Sequence, residues 1–173
     1  QEVVKAARAS SKDILGEGEL GHSGAGSTVR DIIAEELTAV PLTTPEQAAE
    51  FVKVTGVDLL APAVGNFHGM LRSGADPDLN INLIKELATA TGVPLVLHGA
   101  SGNSDQDIRR AIEAGVRLVH VSTELRVAYR DALKLSLTDN PDEVAPYKFT
   151  RPATQAVEKL VEKKLQLFTL GQI

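Results

Sequence analysis

Apolar residues along this chain come in two alternating patterns. Short unbroken runs, VDLLAPAV (57–64) and VPLVLHG (93–99), carry no polar face and suit strands buried on both sides. DILGEGEL (13–20) and VRLVHVST (116–123) read as two more strands. Between and after them the apolar positions fall three and four apart, the spacing of a helix with one buried stripe. TTPEQAAEFVKVTG (43–56) starts with a Thr44 cap and Pro45 and stops at Gly56. DLNINLIKELATATG (78–92) puts Ile81, Ile84, Leu87 and Ala88 on one side. SDQDIRRAIEAG (104–115) opens on Ser104 with Asp107 three residues on, and aims Ile108, Ala111 and Ile112 inward. ELRVAYRDALKLSLTD (124–139) and, after a proline-containing turn, ATQAVEKLVEKKLQLF (153–168) are the remaining long helices.

The order is strand, loop, helix, repeated about every 30 to 40 residues. Strands joined by helical crossovers run parallel, and the crossovers are right-handed. The pattern predicts an α/β fold: half of a (β/α)8 barrel, residues 1–173 forming a single partial barrel domain with outer helices. A doubly wound open sheet is the alternative that the pattern alone leaves standing. EVVKAARASS at the start reads as the closing turns of a helix, so the chain is expected to be the C-terminal portion of something longer, its N-terminal half missing.

Composition narrows the function classes. A chain of 173 residues with 43% hydrophobic and 24% charged residues is globular rather than disordered. Net charge is -5 with no basic run, which argues against a nucleic-acid surface. No apolar run is long enough to span a bilayer, and none resembles a signal peptide. Cysteine is absent, so thiolate chemistry and disulfides are excluded and a cytoplasmic setting is the expectation.

The chemistry-bearing residues gather where the strands end. Strand one ends on Glu17 and Glu19, the second on Asn66 and His68, the third on His98 and Ser101, the fourth on His120, Ser122 and Thr123. His22 starts the glycine-rich loop GHSGAGST after strand one. In a parallel barrel the C-terminal strand ends form the active-site face. Two imidazoles and a carboxylate from neighbouring strands can hold a divalent ion such as Zn²⁺ with one position open. Glu17 and Glu19 alternate, so both point the same way on a strand. Taken singly, a strand-end histidine is most often a hydrogen-bonded structural residue and a spaced carboxylate pair a solvated face. Two His-Gly strand ends in successive units are what tilts the reading toward a site. The glycines beside the histidines let a substrate approach the backbone, and HGASG ahead of a helix can offer amides to phosphate. LRSGADPDL (71–79) reads as a surface loop that could serve as a lid.

Taken together and in order, GEGELG, VGNFHGM, VPLVLHGASG and VHVSTELR resemble the C-terminal half of class II, metal-dependent ketose-bisphosphate aldolases, and the resemblance covers essentially the whole chain. It implies a (β/α)8 barrel to which this chain supplies strands five to eight. It implies a catalytic Zn²⁺, or another divalent metal, ligated by His68 and His98, with Glu19 close by as an alternative ligand. A third histidine and the catalytic aspartate would come from an HxDH-like motif that is absent from these residues. Asn66, Gly69, Gly99, Ala100, Ser101, His120, Val121, Ser122 and Thr123 would contact the dihydroxyacetone-phosphate portion of the substrate. The implied reaction is reversible cleavage of fructose- or tagatose-1,6-bisphosphate to dihydroxyacetone phosphate and an aldehyde phosphate through an enediolate, a step of glycolysis or related carbohydrate metabolism. The chain departs from the family where His120 replaces a common asparagine, Ala100 a common glycine and Leu118 a common lysine, and GHSGAGST lacks an acidic residue often found there.

With the resemblance added to the residues, three function classes stay open. One is a metal-dependent aldolase acting on a phosphorylated ketose, with the 173-residue chain inactive alone. The second is a non-catalytic phosphate- or metal-binding half-barrel. The third is another metal-dependent barrel enzyme. Open sheet edges predict a homo-oligomer.

Overall fold

A computed structural model describes residues 1–21, 28–31, 41–72 and 76–170. They form two compact units, Gln1–His120 and Val121–Ile173.

The first unit contains α1 (Glu2–Ser10), β1 (Glu17–Leu20), β2 (Val29–Arg30), α2 (Pro45–Thr55), β3 (Leu59–Pro62), β4 (Met70–Leu71), α3 (Ile81–Thr91), β5 (Leu95–Leu97), α4 (Asp105–Ala114) and β6 (Val116–Val119). Its main sheet runs β1-β3-β5-β6, all neighbours parallel. Strand order therefore follows chain order. A doubly wound sheet reverses its order at a switch point, and no reversal occurs among these strands. The register pairs Glu17 with Leu59 and Glu19 with Ala61, then Leu60 with Leu95. An irregularity between Leu95 and Val96 shifts β6 so that Leu97 faces Val119. That shift brings the ends of β5 and β6 level, and each is followed directly by a histidine.

The helices start and stop where local chemistry directs. At α2 the Thr44 hydroxyl accepts from the Gln47 amide (3.3 Å) while the Thr44 amide donates to the Gln47 side chain (3.1 Å), a reciprocal cap. Ser104 accepts from the Asp107 amide at the start of α4. α3 starts at Ile81 rather than Asp78, because the Asn80 side chain accepts from Leu83 and takes the cap position. Gly56 and Gly92 close α2 and α3 in left-handed geometry.

Leu60, Leu95, Val96 and Leu97 of the sheet are fully buried with Ile84, Leu87 and Ile108 of the covering helices. Each such side chain contributes about 1.5–3 kcal/mol by leaving water. Cutting Leu97 to alanine removes packing at the end of β5 and costs about 2–5 kcal/mol. Adjacent crossover helices also pack on one another, α2 against α3 and α3 against α4.

Two expectations need correction. Strand one is shorter than 13–20: Ile14 and Leu15 lie outside β1 and are exposed. The segment 71–79 is not wholly a surface loop. Leu71 and Leu79 are buried, and β4 pairs in parallel with β2, Val29 opposite Met70, in a second small sheet. The GHSGAGST loop, His22 included, lies outside the described residues apart from its first and last positions.

The second unit holds α5 (Thr123–Asp139), α6 (Pro146–Phe149) and α7 (Arg151–Phe168), with α5 packed along α7. Ala153 and Leu167 are buried in it. Lys164, 6% exposed, meets Glu124 at 2.9 Å. Thr123 opens α5 rather than ending a strand, which corrects the 116–123 assignment. No helix among the described residues is long and apolar enough to cross a membrane.

Candidate metal centre

Three strands and one loop bring five polar side chains together in the first unit. β1 alternates, so Glu17 and Glu19 project to the same side. His98 follows β5 directly, and His120 follows β6. His120 is anchored by its backbone: its amide donates to Leu97 (2.9 Å) and its carbonyl accepts from Ala100 (3.3 Å).

His68 lies farther from its strand, and the loop that carries it is braced. The Val64 amide donates to Asn66 Oδ1, and Asn66 Nδ2 donates to the His98 carbonyl, both at 2.9 Å. Gly99, at φ +62°, lets the chain after β5 press against the Phe67 carbonyl, where any Cβ would collide. The glycine of this His-Gly pair thus serves the approach of two loops.

Two donor groups share His98: Glu19, His68 and His98, and Glu17, His98 and His120. Bond lengths separate them. Nitrogen and oxygen ligands about 2.0–2.1 Å from a tetrahedral zinc lie about 3.3–3.4 Å from one another. Glu19 Oε2 is 3.5 Å from His98 Nδ1, and Glu19 Oε1 is 3.7 Å from His68 Nε2. These spacings suit ligands of one ion. Glu17 Oε1 is only 2.8 Å from His98 Nε2, a hydrogen-bond distance.

Ring orientation gives the same division. A ligated imidazole holds its ion near the ring plane. His68 and His98 stand at 73° with centroids 5.7 Å apart, so their planes intersect and one point can lie in both. His98 and His120 stack at 19° and 4.7 Å, with nearly parallel planes. One ion cannot lie close to both.

A buried donor completes the test of fit. His98 Nδ1 is shielded from solvent and makes no hydrogen bond. A buried polar atom normally has a partner, and a cation shared with Glu19 and His68 would supply it. The His98 side chain is 14% exposed, against 33% for His68 and 46% for Glu19, so such an ion would be reachable from solvent. The donors Glu19, His68 and His98 therefore fit a divalent metal.

The structure treats the sequence-derived substrate contacts unequally. Gly69 has φ +121° and adjoins His68. Asn66 is buried and acts first as a strut between loops. Ala100 is fully buried and its amide is bonded to His120, so it is not a free donor to phosphate. Ser101 is 4% exposed. Val121, Ser122 and Thr123 belong to the second unit, with Ser122 in the cap position of α5. Glu17 stood only as a candidate carboxylate beside Glu19. Its alternation was visible in the sequence, its bond to His98 was not.

The family model for class II fructose-bisphosphate aldolase matches residues 1–171. The chain belongs to the class II fructose-bisphosphate aldolase family. The D-tagatose-1,6-bisphosphate aldolase subunit GatY of Klebsiella oxytoca is 41% identical over 151 residues, 87% of this chain and 51% of that protein. The crystal structure of the YdjI aldolase of Escherichia coli K12 matches with a TM-score of 0.72 at 36% identity, covering 96% of this chain and 53% of that one. The fructose-bisphosphate aldolase of Campylobacter jejuni matches with a TM-score of 0.65 over 88% of this chain and 51% of that one, but at 20% identity this likeness concerns fold alone. The chain spans about half the length of these relatives. Class II aldolases of this fold are (β/α)8 barrels, so the four-stranded parallel sheet here is barrel sheet rather than part of an open doubly wound fold.

Proposed function

We propose that this chain carries the metal-binding side of an aldolase site that acts on a ketose bisphosphate, with tagatose-1,6-bisphosphate the first substrate to test and fructose-1,6-bisphosphate the second. The observation that carries the reading is the buried, unbonded Nδ1 of His98, 3.5 Å from Oε2 of Glu19, whose Oε1 lies 3.7 Å from Nε2 of His68, inside a chain of this family. The GatY likeness favours the tagatose ester.

Glu19, His68 and His98 would hold the ion. A divalent metal there supplies Lewis-acid polarisation of a ketose carbonyl. The chain's own residues do the rest of the positioning. Gly69 keeps the backbone beside His68 free of a side chain, so a sugar phosphate can lie close, while Gly99 lets the loop of His68 pack against the end of β5. Asn66 fixes the loop of His68 to the end of β5, which sets the distance between the two imidazoles. Proton transfer at a substrate hydroxyl needs an acid–base group, and the aspartate that the family resemblance assigns to it is not among these residues. Cleavage accordingly requires further residues from the same or another polypeptide, and homo-oligomerisation is part of this proposal.

Zinc titration against a chromophoric chelator tests the site directly. His68→Ala and His98→Ala are each expected to weaken binding at least 100-fold. Unchanged affinity in both variants would remove the metal reading. Substrate class is tested by coupled assay of dihydroxyacetone phosphate release from the two ketose bisphosphates by the 173-residue chain, with and without added polypeptide bearing the missing aspartate. Release by the chain alone would contradict the expectation that it is inactive by itself.

A further inference from the structure

We infer that Glu17 is the positioning residue of this site: it accepts a hydrogen bond from Nε2 of His98 and so leaves Nδ1 of that ring as the electron-pair donor toward Glu19 and His68. The inference rests on the metal reading given above and assigns Glu17 a place outside the ligand set.

A neutral imidazole carries one N–H and one lone pair, and its partner decides which nitrogen has which. A carboxylate only accepts. The 2.8 Å contact between Glu17 Oε1 and His98 Nε2 therefore places the proton on Nε2. Nδ1 is left with its lone pair directed at Glu19 Oε2, 3.5 Å away. Two electron-rich atoms held that close, one of them buried and unbonded, repel unless positive charge lies between them, either a metal ion or a second proton on the ring. The arrangement matches the carboxylate–histidine–metal relay, in which an outer carboxylate orients a ligating ring and raises its basicity.

Glu17 has a second point of contact. Its Oε2 lies 3.8 Å from Nε2 of His120, whose ring stacks on His98. The stack limits rotation of His98 about its Cβ–Cγ bond, and the hydrogen bond selects the tautomer. His120, 47% exposed at its side chain, is thus placed to brace the ring of His98 by stacking on it. The distances separate the two carboxylates of β1 by role, although they are two residues apart on one strand and point the same way.

Two measurements on the whole chain test this. The first is zinc affinity by chelator competition, with the visible absorption of the cobalt-substituted protein as a report on coordination. Glu17→Ala is expected to weaken binding 10–100-fold and leave the shape of the cobalt spectrum unchanged. Glu17→Gln, which keeps an acceptor oxygen, is expected to lose less, and it stands in should Glu17→Ala fail to fold by circular dichroism. The second is the nitrogen-15 shifts of the His98 ring in metal-free protein. They should show Nε2–H in the parent chain and a tautomer mixture in Glu17→Ala.

Unchanged affinity and tautomer in Glu17→Ala, with His68→Ala and His98→Ala still impaired, would overturn the role of Glu17 and leave the metal reading standing. A loss beyond 1,000-fold with an altered cobalt spectrum would make Glu17 a ligand and overturn the inference as well. If His68→Ala and His98→Ala bind as the parent does, the metal reading fails, and the nitrogen-15 shifts still decide whether Glu17 holds the tautomer.

Discussion

The side-chain amide of Asn66 donates to the carbonyl oxygen of His98 across 2.9 Å, joining the loop that carries one candidate ligand to the strand end that carries the other. Its oxygen at the same time accepts from the Val64 amide. At this 7%-exposed residue the bond to Val64 is buried and the bond to His98 part-buried. Asn66→Ala leaves the buried Val64 N–H and the part-buried His98 carbonyl without these partners. A loss of about 1–3 kcal/mol in urea unfolding is expected for each group so stranded, the lower end if water enters. A stability within about 0.5 kcal/mol of the parent chain would show that the strut carries no load.

Gly99 is expected to be intolerant of any side chain. Its left-handed φ alone disfavours alanine by roughly 1 kcal/mol, and the added Cβ would also meet the Phe67 carbonyl. Gly99→Ala should therefore cost more than the backbone term alone and should weaken zinc binding by displacing His68. Gly92→Ala is the control: it is also left-handed but has open space around it, so only the backbone term should appear in its melting curve.

Stability of the first unit should fall at acidic pH in a way that depends on Asp58. The Gly16 amide, and after it the Arg8 guanidinium at 3.1 Å, hold this carboxyl below its usual range. Because the folded value is the lower one, the stabilisation is complete above the unfolded value of 3.8 and is lost as pH falls through the folded value. Asp58→Asn should melt below the parent chain at neutral pH, and the gap should close as pH falls below the folded value, which lies under 3.8. A gap that persists unchanged into acid would assign the effect to something other than this charge.

In the second unit, Lys164→Ala removes the partner of Glu124 from a 2.9 Å pair. Breaking a buried pair costs about 3–5 kcal/mol. The Glu124 side chain, 24% exposed, places the expected loss near the lower figure. Lys164→Met combined with Glu124→Leu should recover most of it, since well-packed apolar residues replace such a pair at little cost. Urea unfolding of the two variants checks the order, and a double variant no better than Lys164→Ala would contradict it.

The sequence by itself determined the alternation of strand and helix, the parallel sheet and the helix caps, because each depends on neighbours a few residues away. Thr44 ahead of Pro45, Ser104 with Asp107, and Gly56 and Gly92 are such local arrangements, and all stand where the spacing put them. It also marked His68 and His98, since an apolar run stopped by His-Gly is a local signal, but only His98 directly follows its strand, whereas His68 stands on the loop beyond β3. Only the tertiary structure decided where the strands stop, because a ladder needs its partner's register: Ile14 and Leu15 lack one and lie outside β1. The pairing of β2 with β4, separated by about forty residues, was invisible for the same reason. Which nitrogen of His98 faces Glu19, and which of two carboxylates in alternation touches it at hydrogen-bond distance, depends on side chains from different strands meeting in space. No spacing along one strand distinguishes Glu17 from Glu19, whereas 2.8 Å against 3.5 Å does.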